Sequence, residues 1–442
     1  MKIKQCRKKI NKNLFSDMMN KGNIIIIEAT STGANYIHDA RELGYNPICM
    51  ELHHDEEDAI YKFVHDLSYS LNDEEPPEII LADESYEKTL EMVKKLNPVC
   101  IIPGGDEGIV WATKMAHELG LPGNDPKNLK KMLDKKHMHY TLRDAGLRYI
   151  RSKEAHPLEE AKQFIKELDS SKFVVKPSIG RSTVGVCICE NEDELKDALE
   201  LNSQIYEPLG GETIIQEYIG GEEYSLDTVC CKGHNRVVSA YYYKKILIDG
   251  KGPVYDYALS LSESDPVYRE MEEYNFKVMD AIGIQYGVVH SEYKYDENGP
   301  VLMEVNCRPL GLYQRYDFHD TTFGQHQTRI SLESYLNPEK TIANQNKAFK
   351  LLSHSAIKIM IQYEDIDVVK SKIEEVFTDL ESYCYALYAG NDRIYPKTVD
   401  LATSGGMVYL TNKNKDKLME DIKKINRVEQ FEVEKLFEIR NK

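Results

Sequence analysis

The chain has 442 residues, 41% apolar and 29% charged, and 73 acidic against 56 basic side chains give a net charge of −17. That length allows two or three domains and a large core. The acidic balance argues against a nucleic-acid surface, and no apolar run approaches the ~18 residues needed to cross a bilayer.

The opening MKIKQCRKKINKNLF is basic, with no apolar run after it, and reads as a solvated leader rather than a signal peptide. The nine cysteines are scattered, an odd number without framework spacing, which reads as free thiols in a reducing, cytoplasmic setting. From residue 23 the pattern alternates. NIIIIEA, PICMEL, EIILAD and VCIIPG read as short buried strands, and the stretches between and after them include three helices. This predicts a parallel α/β domain over 1–124. Its strand ends carry the small-residue loops STG and PGGDEG, at the carboxyl edge where such sheets bind ligands. There is no G-x-G-x-x-G, so a dinucleotide site is not indicated. HHDEEDAIYKF and SLNDEEPPE read as solvated charged segments.

The turn cluster LPGNDPKN marks a boundary, and a linking helix is predicted over 125–146. Residues 147–220 have the order of a small α+β subdomain. In it FVVKPSIGRSTVGV carries Lys176 at a strand end. A loop follows whose Gly180, Ser182, Thr183 and Gly185 would let backbone N–H groups approach phosphate. The Lys precedes the glycines, so this is not the usual phosphate loop. ETIIQEYIGGEEYSLD gives two strands around Gly220-Gly221. The chain at Glu217, Tyr218 and Ile219 could offer one C=O and one N–H to a flat ring edge, and Glu223 could accept from ribose hydroxyls; a plain hairpin is the simpler alternative. Residues 221–442 are mixed strands and helices.

Within them lies HSEYKYDENGPVLMEVNCRP. Two strand patterns flank D-E-N-G-P, a hairpin signal. A three-residue loop, Glu297–Gly299 with Gly299 left-handed, makes the register symmetric about Asn298 and sets Glu292 opposite Glu304. A two-residue loop would put them on opposite faces. Opposed carboxylates need a cation. Asn306 is one pleat further along, and an oxygen-only set with few protein ligands suits Mg²⁺. Arg308 is next in the row, placed for a phosphoryl group or oxyanion. His290 shares the Glu292 face and is read either as a substrate or phosphate contact or as a structural histidine.

Taken in order, Lys135, Lys176 with its loop, E-Y-I-x-G-x-E, Glu292 and Glu304-x-Asn306-x-Arg308 resemble the ATP-grasp superfamily over nearly the whole chain. Within it, STGANYIHDARELGY, LGLPGND and HSEY…EVNCRP are similar to the bacterial L-amino-acid ligases, which make dipeptides. The resemblance implies a mixed α/β and α+β architecture, the ATP-grasp fold behind an N-terminal parallel α/β domain. It implies that Lys135 and Lys176 contact ATP phosphates under a loop at 178–185, and that Glu217 to Ile219 hold adenine and Glu223 ribose. It also implies that Glu292, Glu304 and Asn306 bind one or two Mg²⁺ ions, with Mn²⁺ as a substitute, and that Arg308 stabilises an acyl phosphate. The function implied is an ATP-dependent ligation of a small carboxylate to an amine, both amino acids, with release of ADP and phosphate. Homodimers are common among such proteins. RPLGL departs from the glycine-richer sequence often found after that arginine, and the covering loop has fewer glycines than many. The competing readings are a ligase for another carboxylate or amine, and a nucleotide-binding protein without ligase activity.

Overall fold

The computed structural model describes residues 21–52, 77–168, 170–179, 185–206, 212–248, 253–345, 350–388, 390–401 and 403–440. The basic leader, nearly all of the two acidic segments, Cys6, and Gly180, Ser182 and Thr183 lie outside the described residues. Cys100, Cys187, Cys189, Cys230, Cys231, Cys307 and Cys384 are free thiols.

Strands β1 (Asn23–Ile27), β2 (Asn46–Glu51), β3 (Glu78–Leu81) and β4 (Pro98–Pro103) form a parallel sheet in the order β3-β2-β1-β4. This is the α/β domain expected from the alternating pattern. Its central strand is a continuous isoleucine run because helices cover both faces. Ile24 and Ile26 enter one core cluster, Ile25 and Ile27 the other, and all four are fully buried.

Strands β5 (Ser152–Glu154), β6 (Phe173–Pro177), β7 (Cys187–Cys189) and β8 (Thr213–Glu217) make a small antiparallel sheet, order β5-β8-β6-β7. Next come β9 (Glu222–Cys231), β10 (His234–Leu247), β11 (Pro253–Ser260), β12 (Tyr286–Asp296), β13 (Gly299–Asn306) and β14 (His354–Met360). The last are β15 (Ile366–Ser371), β16 (Tyr383–Tyr388), β17 (Arg393–Tyr395), β18 (Gly406–Asn412) and β19 (Phe437–Ile439). The eight-stranded sheet runs β13-β12-β9-β10-β11-β14-β18-β16, and β17-β15-β19 form a separate three-stranded sheet. The two strands around Gly220-Gly221 are therefore not a hairpin. β8 pairs in the small sheet and β9 in the large one, so this segment crosses between them. Gly221 is left-handed there (φ 81°), and a Cβ would sit 2.1 Å from the Tyr295 carbonyl oxygen.

The N-terminal sheet meets the rest through its carboxyl edge. A Cβ on Gly33 would lie 2.1 Å from the Gly104 carbonyl oxygen, and one on Gly104 would lie 2.5 Å from that of Glu28, so the two loops pack backbone to backbone. The Thr32 hydroxyl donates to the Leu312 carbonyl and accepts from the Gln314 N–H, both at 2.9 Å. The Asn35 amide donates to the Gln314 carbonyl at 2.7 Å. The STG loop thus docks on the segment that follows Arg308.

The C-terminal helix Lys415–Phe431 is tied to the large sheet by a buried ion cluster. Lys358 of β14, fully buried, places its ammonium 2.8 Å from Glu429 and 3.1 Å from Asp256 of β11. Lys358→Met would strand two acids in the interior, where breaking a buried pair costs about 3–5 kcal/mol. Urea unfolding is expected to register a loss of that size; an unchanged midpoint would contradict it.

Candidate active site

The hairpin β12–β13 carries the acid pair, but its turn is not the three-residue one expected from the sequence. The loop is two residues, Glu297–Asn298, between paired Asp296 and Gly299. From that turn alone Glu292 and Glu304 would not be opposite. The register shifts between Glu292 and Tyr293: Tyr293 pairs with Leu302, Glu292 with Glu304, and Met303 is left unpaired. This bulge restores the juxtaposition, one extra residue on β13 correcting the parity. Asn306 faces His290 in the next rung.

On the other side of β12, β9 sets Asp227 opposite His290, Ser225 opposite Glu292 and Glu223 opposite Lys294. Side chains alternate across a sheet. One face of three neighbouring strands therefore presents Glu223, Asp227, His290, Glu292, Lys294, Glu304 and Asn306. Two ionised carboxylates ~5 Å apart repel by roughly 3 kcal/mol at an effective dielectric of about 20, and the surroundings answer with positive charge.

Lys135 opens the helix Lys135–Asp144, capped by Asp134, whose carboxylate accepts the His137 N–H at 2.9 Å. The Lys135 ammonium lies 2.8 Å from Glu304 Oε2, and its backbone N–H donates to the Ser178 carbonyl at 3.0 Å. This joins the helix start to the segment after β6. Lys176, at the end of β6, is 5% exposed. Burial alone would raise the Glu304 carboxyl, but Lys135 and then Lys176 hold it well below the ordinary range. Lys176 itself is pulled down to about 8, first by burial and next by the Lys135 charge. Asn306 donates its amide to Glu304 Oε1 at 3.3 Å.

His290 is buried with both ring nitrogens engaged, Nδ1 2.8 Å from Asp227 Oδ1 and Nε2 3.3 Å from Glu292 Oε1. Burial works against its charge, but the two carboxylates outweigh it and raise the imidazole to about 9. His290 is therefore a cation beside Glu292 at neutral pH, both nitrogens donating.

Arg308 follows β13 and turns to the N-terminal domain. Its Nε donates to Asp106 Oδ1 at 2.9 Å and its Nη2 to Asp106 Oδ2 at 3.1 Å. Burial opposes its charge, and Asp106, then Glu304 and Glu292, hold it above its ordinary range.

The segment expected to face a base is at the crossover. The Glu217 carboxylate accepts from the Arg151 N–H and Nε, both at 3.2 Å. The Lys172 ammonium is 6.0 Å from the Tyr218 ring centroid, and Ile219 leads into the glycine pair. Glu223 is 4% exposed. It is met by Lys245 at 2.8 Å, Lys294 at 3.3 Å and the Tyr255 hydroxyl at 2.8 Å. Burial would raise its carboxyl, and the two lysines hold it below the ordinary range. Gly185 is left-handed (φ 74°), and its carbonyl accepts the Asn202 amide at 2.7 Å. Sequence reasoning missed Asp106, Asp227, Lys245 and Lys294. Asp227 and Lys294 were within reach, since each sits in the period-two row of a residue already singled out.

Among the described residues no three His, Cys, Asp or Glu side chains gather as a metal group. The donors at the hairpin are instead two carboxylates and an amide oxygen. That set fits a hard cation that keeps waters and phosphate oxygens in its shell, as Mg²⁺ does, and not an all-protein cage. Among the described residues no helix is long and apolar enough to cross a membrane.

Residues 170–315 match the family model described as an ATP-grasp domain. Dapdiamide A synthase of Enterobacter agglomerans is 25% identical over 423 residues, which span 94% of this chain and 97% of that protein. The L-amino acid ligase from Bacillus licheniformis superposes with a TM-score of 0.72 at 16% identity, covering 92% of this chain and 97% of its own. N5-carboxyaminoimidazole synthetase from Staphylococcus aureus, complexed with ADP, gives 0.66 at 14% identity over 93% and 99% of the two chains. The chain thus carries an ATP-grasp domain over residues 170–315 within an ATP-grasp fold, the equipment of an ATP-dependent carbon–nitrogen ligase.

Proposed function

We propose that this ligase joins two L-amino acids into a dipeptide through an acyl phosphate, releasing ADP and phosphate. The observation that carries the reading is the Glu292–Glu304 pair with Asn306, flanked by the lysines 135 and 176 and followed by Arg308. The likeness to a dapdiamide synthase and to an L-amino acid ligase, each over nearly the whole chain, supports amino-acid substrates. The similar score against a carboxyaminoimidazole synthetase favours a second reading, in which the same centre serves another carboxylate or amine.

In the proposed reaction Lys135 and Lys176 hold phosphate oxygens of ATP, Glu217 to Ile219 border the base, and Glu223 meets the ribose. One or two magnesium ions held by Glu292, Glu304 and Asn306 would neutralise charge on the β- and γ-phosphate oxygens. A substrate carboxylate oxygen attacks the γ-phosphorus, and the bond to the bridging oxygen breaks, its electron pair leaving with ADP. The amine nitrogen then attacks the acyl carbon. The C–N bond forms, the C–O bond to phosphate breaks, phosphate leaves with that pair, and the nitrogen gives up its proton. Arg308 steadies the oxyanion between these events. His290, held by Asp227 and Glu292, keeps Glu292 on the shared face.

This reading sets the pH dependence of nucleotide binding. A lysine at about 8 in the folded chain against an ordinary 10.5 is discharged by folding, so stability is gained as pH rises between those values. Bound phosphate reverses the shift, and binding above pH 8 must take up a proton. ATP affinity is expected to fall by up to about tenfold per pH unit above 8, with calorimetric proton uptake that Lys176→Met abolishes. Affinity flat from neutral pH to above 9 would contradict the phosphate role.

The function itself is tested by ADP release with MgATP against the L-amino acids, singly and in pairs, beside Glu304→Gln. Release that depends on a pair and falls by about 100-fold or more in the variant is expected. Silence with every pair, together with turnover on another carboxylate or amine, would replace the dipeptide reading with the second one.

A further inference from the structure

Any role for Asp106 in the reaction rests on the proposed role of Arg308 as the cation of the acyl centre. The Arg308 side chain is 13% exposed and meets Asp106 through two bonds, Nε to Oδ1 and Nη2 to Oδ2. Its Nη1 donates to the Pro309 carbonyl at 2.9 Å. A guanidinium has five N–H groups, and these contacts use three. The two that remain, one on each Nη, suffice for a second carboxylate or a phosphoryl group.

Asp106 belongs to PGGDEG, the loop after β4, 202 residues from Arg308 in the chain. The close backbone packing at Gly33 and Gly104 fixes that loop against the end of β1. The STG loop beside it is bonded to Leu312 and Gln314, just beyond Arg308. The arginine is thus held at a junction whose two sides are both rigidly packed.

We propose that Asp106 is a positioning residue for the ligation. It binds one edge of the Arg308 guanidinium so that the two uncommitted N–H groups meet the acyl phosphate, and the oxyanion that succeeds it, in one fixed orientation. A long, rotamer-rich side chain left alone would have to be ordered during the reaction, and a carboxylate holding it beforehand removes that cost. The alternative is that Asp106 competes with substrate and must let go of Arg308 before turnover. The two roles predict opposite kinetic effects.

The test compares Asp106→Asn, Asp106→Ala, Asp106→Glu and Arg308→Ala, using whichever carboxylate and amine support turnover. MgATP binding by calorimetry confirms that each variant is folded. Positioning predicts that Asn and Ala lower kcat by about 100-fold with MgATP affinity kept, and that Glu recovers part of the loss. Free guanidinium should restore Arg308→Ala but not the Arg308→Ala, Asp106→Ala double variant, because only an intact Asp106 can seat it. Unchanged or faster turnover in Asp106→Ala, or equal rescue of both arginine variants, would overturn the proposal while leaving the Arg308 reading intact. Full activity in Arg308→Ala would overturn both.

Discussion

Carboxylates that share a sheet face on neighbouring strands stay ionised only when positive charge is brought to them. The Glu292–Glu304 pair imposes that requirement on everything around it. In the structure each acid is met separately, Glu304 by Lys135 and Glu292 by His290. Lys135 comes from a helix start before the small sheet, and His290 depends on Asp227 of the adjoining strand for its charge. Three parts of the chain, far apart in sequence, are therefore drawn to one place by a single electrostatic need. In the proposed reaction a metal and phosphates would take over this balance, the lysine passing from carboxylate to phosphate without leaving a bare buried charge.

Among the described residues, the N-terminal parallel domain contributes no residue to the acid face itself. Its role is visible at the carboxyl edge of its sheet, the edge where such sheets bind ligands. Here that edge meets the chain just after β13. One loop docks on Leu312 and Gln314, and the other delivers Asp106 to Arg308. The domain frames the exit of the hairpin, where the acyl centre is proposed to lie.

Much of this was legible in the sequence. The isoleucine run and its alternation with helices announce the parallel sheet, and the row Glu304, Asn306, Arg308 is readable because a strand has period two. The opposition of Glu292 and Glu304 was reached through a turn that the structure does not have. The two-residue turn breaks the parity and the Met303 bulge restores it, and nothing in the side chain of Met303 signals an unpaired position. Gly220-Gly221 suggested a hairpin because local pairing is the cheapest guess; β8 and β9 instead find partners in different sheets. Asp106 was hidden for another reason. A loop acid carries no periodicity, and its partner lies in another domain.

The central proposal is that the acid pair holds metal and nucleotide, with Lys135 passing from Glu304 to a phosphate oxygen as they bind. The most direct measurement is a crystal structure with Mn²⁺ and a non-hydrolysable ATP analogue, the metal located by anomalous scattering. The account predicts metal bound by Glu292, Glu304 and Asn306, with the Lys135 ammonium moved from Glu304 to a phosphate oxygen. Nucleotide bound with no metal at these residues, and Lys135 still paired with Glu304, would contradict it.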